Sequence, residues 1–217
     1  MNKNINTSTF WNYQNVNNEK MLSQSKIYRH KHKIVLKWLS GKNKTMLNIG
    51  VGNGYLEKLL ALKNKSIYLF GIDISDLSIK NIGKDVKGVF KVANITKIPF
   101  TDNSFDFITA LDILEHLDSK ELNKGLNEIR RVLKLNGKLI ISVPLNEKVT
   151  DKKTNRHLLV FSKKGMLNIL KKNNFKVNEV RELFAFQRLY WLKTVVSNLL
   201  SIKKPNLLIV KATKSKE

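Results

Sequence analysis

From residue 41 onward, short apolar runs alternate with segments whose apolar residues recur every three or four positions. That alternation predicts strands joined by crossover helices in a doubly wound parallel α/β sheet. The predicted strands are Thr45–Ile49, Ser66–Ile72, Gly88–Ala93, Ser104–Ala110 and Lys138–Val143. Helices are predicted near Gly54–Lys63, Ser75–Ile82 and Asp118–Lys134. In the last of these, Asp118 and Glu121 have capping-box spacing, and Leu122, Leu126, Ile129 and Leu133 form the buried stripe. Asn136-Gly137 then turns the chain into the next strand. The final third adds a helix over Ser162–Lys172, a strand over Phe175–Arg181 and a closing strand over Leu207–Ala212, which makes seven strands.

Two regions lie outside this rhythm. Residues 1–18 are polar and aperiodic apart from Phe10, Trp11 and Tyr13, and read as an arm that is loose unless those aromatics dock. A leading helix is expected over Glu19–Leu39, with Gly41 able to stop it. The chain therefore divides into an arm with its helix (1–40) and one α/β domain (41–217). The second region, 183–202, is rich in Leu, Phe, Val, Tyr and Trp but carries Arg188 and Lys193, so it reads as an amphipathic lid or interfacial helix and not as a membrane span.

Composition narrows the chemistry. The absence of cysteine excludes disulfides, thiolate zinc sites and cysteine nucleophiles. No apolar signal segment follows Met1, which makes an intracellular, cytoplasmic protein the expectation, with peripheral membrane contact through 183–202 as an addition. A net charge of +23 attracts nucleic acid and anionic membranes alike. Yet 34 of the 40 basic residues are Lys, whereas base reading and bidentate phosphate binding favour Arg. Lys, Ile and the 25 Asn residues share A/T-rich codons, so compositional bias is one source of the charge and a functional basic surface the other.

The strongest local signal is Met46-Leu47-Asn48-Ile49-Gly50-Val51-Gly52-Asn53-Gly54-Tyr55, an apolar strand running into three glycines at alternate positions. Glycine permits the tight turn and the approach of a ligand to bare backbone, and the following helix is expected to aim its N-terminal amides at that ligand. A second strand ends at Asp73, where a carboxylate can accept from both hydroxyls of a ribose. A nicotinamide or flavin dinucleotide fold is the competing reading. Its fingerprint requires Gly or Ala where this chain has the bulky Tyr55.

The run from Met46 to Pro144 resembles the class I S-adenosylmethionine-dependent methyltransferases of the ubiquinone/menaquinone-biosynthesis type (methyltransferase type 11). The matching pieces, in order, are the glycine loop, Gly71-Ile72-Asp73-Ile74-Ser75, Ala93-Asn94-Ile95, Ile98-Pro99-Phe100 and Asp102-Asn103-Ser104-Phe105-Asp106. They continue through Leu114-Glu115-His116-Leu117 and Glu128-Ile129-Arg130-Arg131-Val132-Leu133-Lys134. The resemblance implies a Rossmann-like, mostly parallel seven-stranded sheet with an antiparallel closing strand and helices on both faces. It also implies S-adenosylmethionine as cofactor. By position, Gly50, Gly52 and Gly54 would hold the methionine part and Asp73 the ribose, while Ile74 packs on the adenine, Asn94 and Ile95 flank its edge, and Asp112 lies near the methionine amino group. Asn48 and Asn94 stand where the family usually has acids, so weaker cofactor binding is expected. Arg29 is either a partner for the cofactor carboxylate or an exposed helical arginine.

Methyl transfer asks the protein mainly for positioning, with a base only where the acceptor needs deprotonation. His157 and His116 are the candidate bases, the latter with a packing role as the alternative; His30 and His32, among lysines, read as solvated. No metal site is expected, because Glu115 and His116 are adjacent and would diverge on a regular element. The expected activity is methyl transfer to O or N of a small-molecule, sugar or lipid-linked acceptor. An RNA-directed methyltransferase and a noncatalytic cofactor-binding partner protein are the alternatives.

Overall fold

The computed structural model describes residues 6–14, 25–63, 66–147, 156–184, 190–200 and 204–215. The expected start of the leading helix at Glu19 and parts of the apolar segment, 185–189 and 201–202, lie outside them. In chain order the elements begin with α1 (8–14), α2 (Lys26–Trp38), β1 (Lys44–Ile49), α3 (Tyr55–Leu62), β2 (Ile67–Asp73), α4 (Asp76–Asp85) and β3 (Val89–Val92). There follow β4 (Phe105–Leu111), a 3₁₀ turn (Leu114–His116), α5 (Ser119–Val132), β5 (Leu133–Pro144), α6 (Lys163–Lys172), β6 (Phe175–Leu183), α7 (Tyr190–Leu200) and β7 (Leu207–Lys214).

The strands form one sheet in the order β3-β2-β1-β4-β5-β7-β6. The first five are parallel, and β7 inserts antiparallel between β5 and β6. Because successive strand residues face opposite sides, each apolar run serves two cores. Leu47, Ile108, Leu139 and Ile141 pack with Leu126 and Ile129 of α5 and Met166 and Leu170 of α6. Met46, Phe107, Ile140 and Ile209 pack with Val35 of α2 and Leu39 just after it, Leu56 and Leu60 of α3 and Ile82 of α4. The order reverses beside β1: β2 and β3 lie on one side and β4 on the other, so a crevice opens at the carboxyl ends of β1, β2 and β4, the usual place for a ligand in such sheets.

Local chemistry sets the ends of these elements. Asp118 and Glu121 form the expected capping box at the start of α5. That helix stops at Val132, and Leu133 opens β5 five residues earlier than predicted. The turn expected at Asn136-Gly137 is present as a bulge, with pairing that jumps from Phe105–Leu133 to Phe107–Lys138 and Asn136 at φ 63°. The Asp106 carboxylate ties the edge of β4 to its neighbours through Thr45, Lys44 and Lys134, and these donors hold it well below the ordinary carboxylate range despite its partial desolvation.

Leu183, expected to open the apolar insertion, instead ends β6. The helix beyond it is inverted in polarity. Tyr190, Thr194 and Ser197 face inward, while Trp191, Val195, Val196, Leu199 and Leu200 face solvent. None of the described helices is long and apolar enough to cross a membrane.

Candidate active site

The crevice is a cavity of about 320 Å³, within the ordinary range of small-molecule sites. It brings together Asn48, Gly50, Gly52, Asp73, Ile74, Asn94, Ile95, Asp112 and His116 from the predicted set. Gly54 lies one step behind, at the start of α3, where an added Cβ would sit 2.2 Å from Cδ1 of Ile82. Arg29 does not line this cavity; it borders a separate surface cleft with Lys26, His30, Lys33 and Trp191. His157 stands behind His116, their ring centroids 4.7 Å apart.

The glycine loop differs from expectation in what it offers. Gly50, Gly52 and Gly54 have φ of 79°, 56° and 70°, the left-handed region that favours glycine. Their amides are all spent inside the protein: Gly50 donates to the Ile72 carbonyl at 2.8 Å, Gly52 to Asp73 Oδ2 at 2.8 Å and Gly54 to the Val51 carbonyl at 3.0 Å. The first amide of α3, at Tyr55, is taken by Asn53 Oδ1. A pyrophosphate requires a nest of outward amides, and these four point elsewhere. The loop supplies room for a ligand without that anion cradle, which suits a cationic sulfonium better than a dinucleotide.

Asp73 accepts from Gly52 N through one carboxylate oxygen and from Ser75 N through the other, both at 2.8 Å. Each oxygen keeps a further lone pair, enough for two vicinal hydroxyls. Burial raises its pKa, against the lowering by these backbone donors. At the opposite wall, Lys31 of α2 is buried and paired with Asp112, whose Oδ1 also accepts from Ser142 Oγ at 2.6 Å. Burial disfavours the Asp112 charge, but the Lys31 ammonium and these hydrogen bonds hold its pKa below normal. Asp112 sits at φ 57°, a strained setting for a non-glycine residue that turns its carboxylate into the cavity. A cation and an anion side by side match the two charged groups of an amino acid.

Lys31 was not expected, although a signal existed: Lys31, Val35 and Trp38 share one helical face, and the latter two are plainly core. His32 corrects the reading of a solvated histidine. It is buried against Tyr28 and Tyr55, and burial followed by the charge of Lys31 lowers its pKa to about 3. His30 is likewise not free in solvent, with Nδ1 2.9 Å from the Tyr190 hydroxyl.

Behind the loop, Asn48 accepts from Thr109 Oγ1 at 2.7 Å and donates to Glu57 Oε1 at 2.7 Å. The acid missing at position 48 is thus present one layer back, on α3. Glu57 is fully buried and its pKa is pushed up to about 7, chiefly by desolvation.

The other end of the cavity is assembled from distant segments. The arm does dock: Asn6 Nδ2 donates to the carbonyls of His116 (2.9 Å) and Arg156 (3.2 Å). Trp11 packs edge-on against His116, and Asn12 bridges Asp76 and Ser75 at the start of α4. His157 Nδ1 lies 2.6 Å from Glu147. Burial, then the neighbouring His157, lowers the pKa of His116 to about 4. Glu115 and His116 were expected to diverge, but the irregular 3₁₀ turn brings one donor atom from each of Glu115, His116 and His157 within 4.8 Å of one another.

Known proteins give the same picture. Residues 47–141 match a family model described as a methyltransferase domain. The chain is 28% identical over 174 residues to an uncharacterized protein of Methanocaldococcus jannaschii, covering 79% of this chain and 73% of that protein. It is 33% identical over 111 residues to the ubiquinone/menaquinone biosynthesis C-methyltransferase of Rickettsia prowazekii, 45% of this chain and 43% of the relative. The chain therefore spans less than half of that enzyme's length. The N-methyltransferase NodS of Bradyrhizobium japonicum, solved with S-adenosyl-L-homocysteine, shares the fold at a TM-score of 0.75 and 16% identity, over 97% of this chain and 100% of that one. Residues 47–141 thus match a methyltransferase domain, and the fold around them is similar to that of S-adenosylmethionine-dependent methyltransferases.

Proposed function

We propose that the chain methylates an oxygen or nitrogen of a small-molecule or lipid-linked acceptor, with the cavity beside the glycine loop holding the methyl donor. The observation that carries this is the order of chemistry along the cavity: Asp73 at one wall, the glycine loop with its inward-turned amides in the middle, and the Lys31–Asp112 pair at the other. When bound, the cofactor supplies an activated methyl group on a sulfonium. Asp73 accepts the ribose hydroxyls, Ile74 and Ile95 cover the adenine, and Asn94 borders it. Asp112 accepts from the methionine ammonium and Lys31 donates to the carboxylate. His116, at the end closed by Asn6 and Trp11, faces the acceptor, with His157 behind it. Calorimetric titration of the intact chain with S-adenosylhomocysteine tests the donor half: saturable binding is expected, and no heat at millimolar ligand from folded protein would refute it.

The inverted α7 supports a lipid-linked acceptor. Its outward Trp191, Val195 and Leu199 recur at helical spacing, and Trp191 adjoins the cleft bearing Lys26, Arg29 and Lys33. An apolar face flanked by cations matches an anionic bilayer surface. Flotation with phosphatidylglycerol vesicles should carry the chain upward, and Leu199→Glu should leave most of it at the bottom. Equal behaviour of the two proteins would remove the bilayer from the proposal.

A further inference from the structure

We propose that Glu115, His116 and His157 form a binding site for a divalent first-row transition-metal ion at the acceptor end of the cavity, with Glu147 orienting His157. Three observations converge. Two imidazoles and a carboxylate place one donor atom each within 4.8 Å of one another. Glu115 is 1% exposed, and its Oε2 has no hydrogen-bond partner among the described residues, an arrangement that is costly unless something positive completes it. Glu147 binds Nδ1 of His157, which leaves Nε2 as the ligating atom and reproduces the carboxylate–histidine pair that fixes a metal ligand's tautomer and ring orientation.

The scaffold is held by main chain. The Glu115 carbonyl accepts from the amides of Leu158 (2.7 Å) and Leu159 (3.1 Å), so the segment bearing His157 is fastened to the turn bearing the other two donors. An ion bound about 2.1 Å from each donor needs them roughly 3–4 Å apart, so binding draws the donors together from the 4.8 Å within which they lie.

Donor chemistry selects the ion. Two nitrogens and one carboxylate favour Zn²⁺, Co²⁺, Fe²⁺ or Mn²⁺ over Mg²⁺, which prefers an all-oxygen shell. Three protein ligands leave coordination positions open, and His116 lines the cavity. The open side therefore takes an oxygen or nitrogen of the acceptor and fixes its orientation beside the methyl donor. The acceptor role rests on the methyltransferase reading; the metal site itself does not.

The test is titration of the untagged, chelator-stripped full chain with Co²⁺, followed by its visible d–d absorption, then displacement by Zn²⁺. One Co²⁺ per chain is expected. Glu147→Gln should weaken binding about 10–100-fold, as loss of the carboxylate behind a ligating histidine does. His157→Gln should weaken it further, and circular dichroism should show both variants folded. If His157→Gln does not fold, the Glu147→Gln shift alone decides. Absence of a Co²⁺ spectrum, unchanged affinity in the folded variants, or equal competition by Mg²⁺ would overturn the site. Since the readout needs no cofactor, failure here is distinct from failure to bind S-adenosylhomocysteine.

Discussion

The two ends of the cavity are built on different principles. The end assigned to the donor is built from two short stretches, 48–54 and 71–75, each a strand running directly into a turn and tied together through Gly52 and Asp73, with the Lys31–Asp112 pair added from α2 and the end of β4. The acceptor end joins Asn6 to His116 and Arg156 across 110 and 150 residues of chain. Local geometry therefore specifies the glycine loop and Asp73, whereas the Lys31–Asp112 pair forms only when α2 packs over the sheet, and the acceptor end only after the arm, the 3₁₀ turn and the 156–159 segment have met. An architecture of this kind lets acceptor choice vary while the donor site stays intact.

The comparison can be broken most severely at Asp73. Asp73→Ala removes the acceptor for two hydroxyls, each hydrogen bond to a charged group contributing about 1.5–3 kcal/mol, so S-adenosylhomocysteine affinity should fall by at least about 10²-fold in calorimetry. A next effect concerns Glu57, the buried acid behind the loop. Its folded pKa of about 7 lies above the ordinary glutamate value, so the folded state binds the extra proton; its stabilising contribution is complete below about pH 4.5 and is lost as pH rises through 7. Denaturant titrations at pH 4.5 and 8 should show Glu57→Gln gaining about 3 kcal/mol on the parent over that interval.

Lys31→Met sharpens the contrast inside the donor end. It should weaken S-adenosylhomocysteine roughly tenfold or more, yet leave 5′-methylthioadenosine, which has no amino-acid part, unaffected. Equal losses for both ligands would mean that Lys31 supports the fold and not the methionine part. The smallest effect belongs to the arm. Trp11→Ala removes an edge-to-face contact to His116 of about 0.5–1.5 kcal/mol, and the S-adenosylhomocysteine off-rate should rise a few-fold in stopped-flow measurements.

The legibility of the site follows the same division. The positions of Gly50, Gly52, Gly54 and Asp73 beside the crevice were readable because a strand, a tight turn and a carboxylate at the end of the next strand leave fixed spacings. The fate of the glycine amides was not, because the carbonyl of Ile72 and the carboxylate of Asp73 reach them from the neighbouring strand. Arg29 and Lys31 show how two residues of helical phase decide between a surface cleft and the cavity wall. Glu57 was hidden because a charged residue on a short helix reads as surface until Asn48 is found in front of it.

By itself, the sequence determined the doubly wound sheet, its crevice and the glycine turn that borders it, since hydrophobic periodicity and glycine placement act over a few residues at a time. Only the tertiary structure decided that α7 turns its apolar face outward, that the arm closes the cavity, and that Glu115, His116 and His157 converge. Those outcomes depend on contacts between segments up to 150 residues apart, whose relative placement is set by the packed sheet and not by any local pattern.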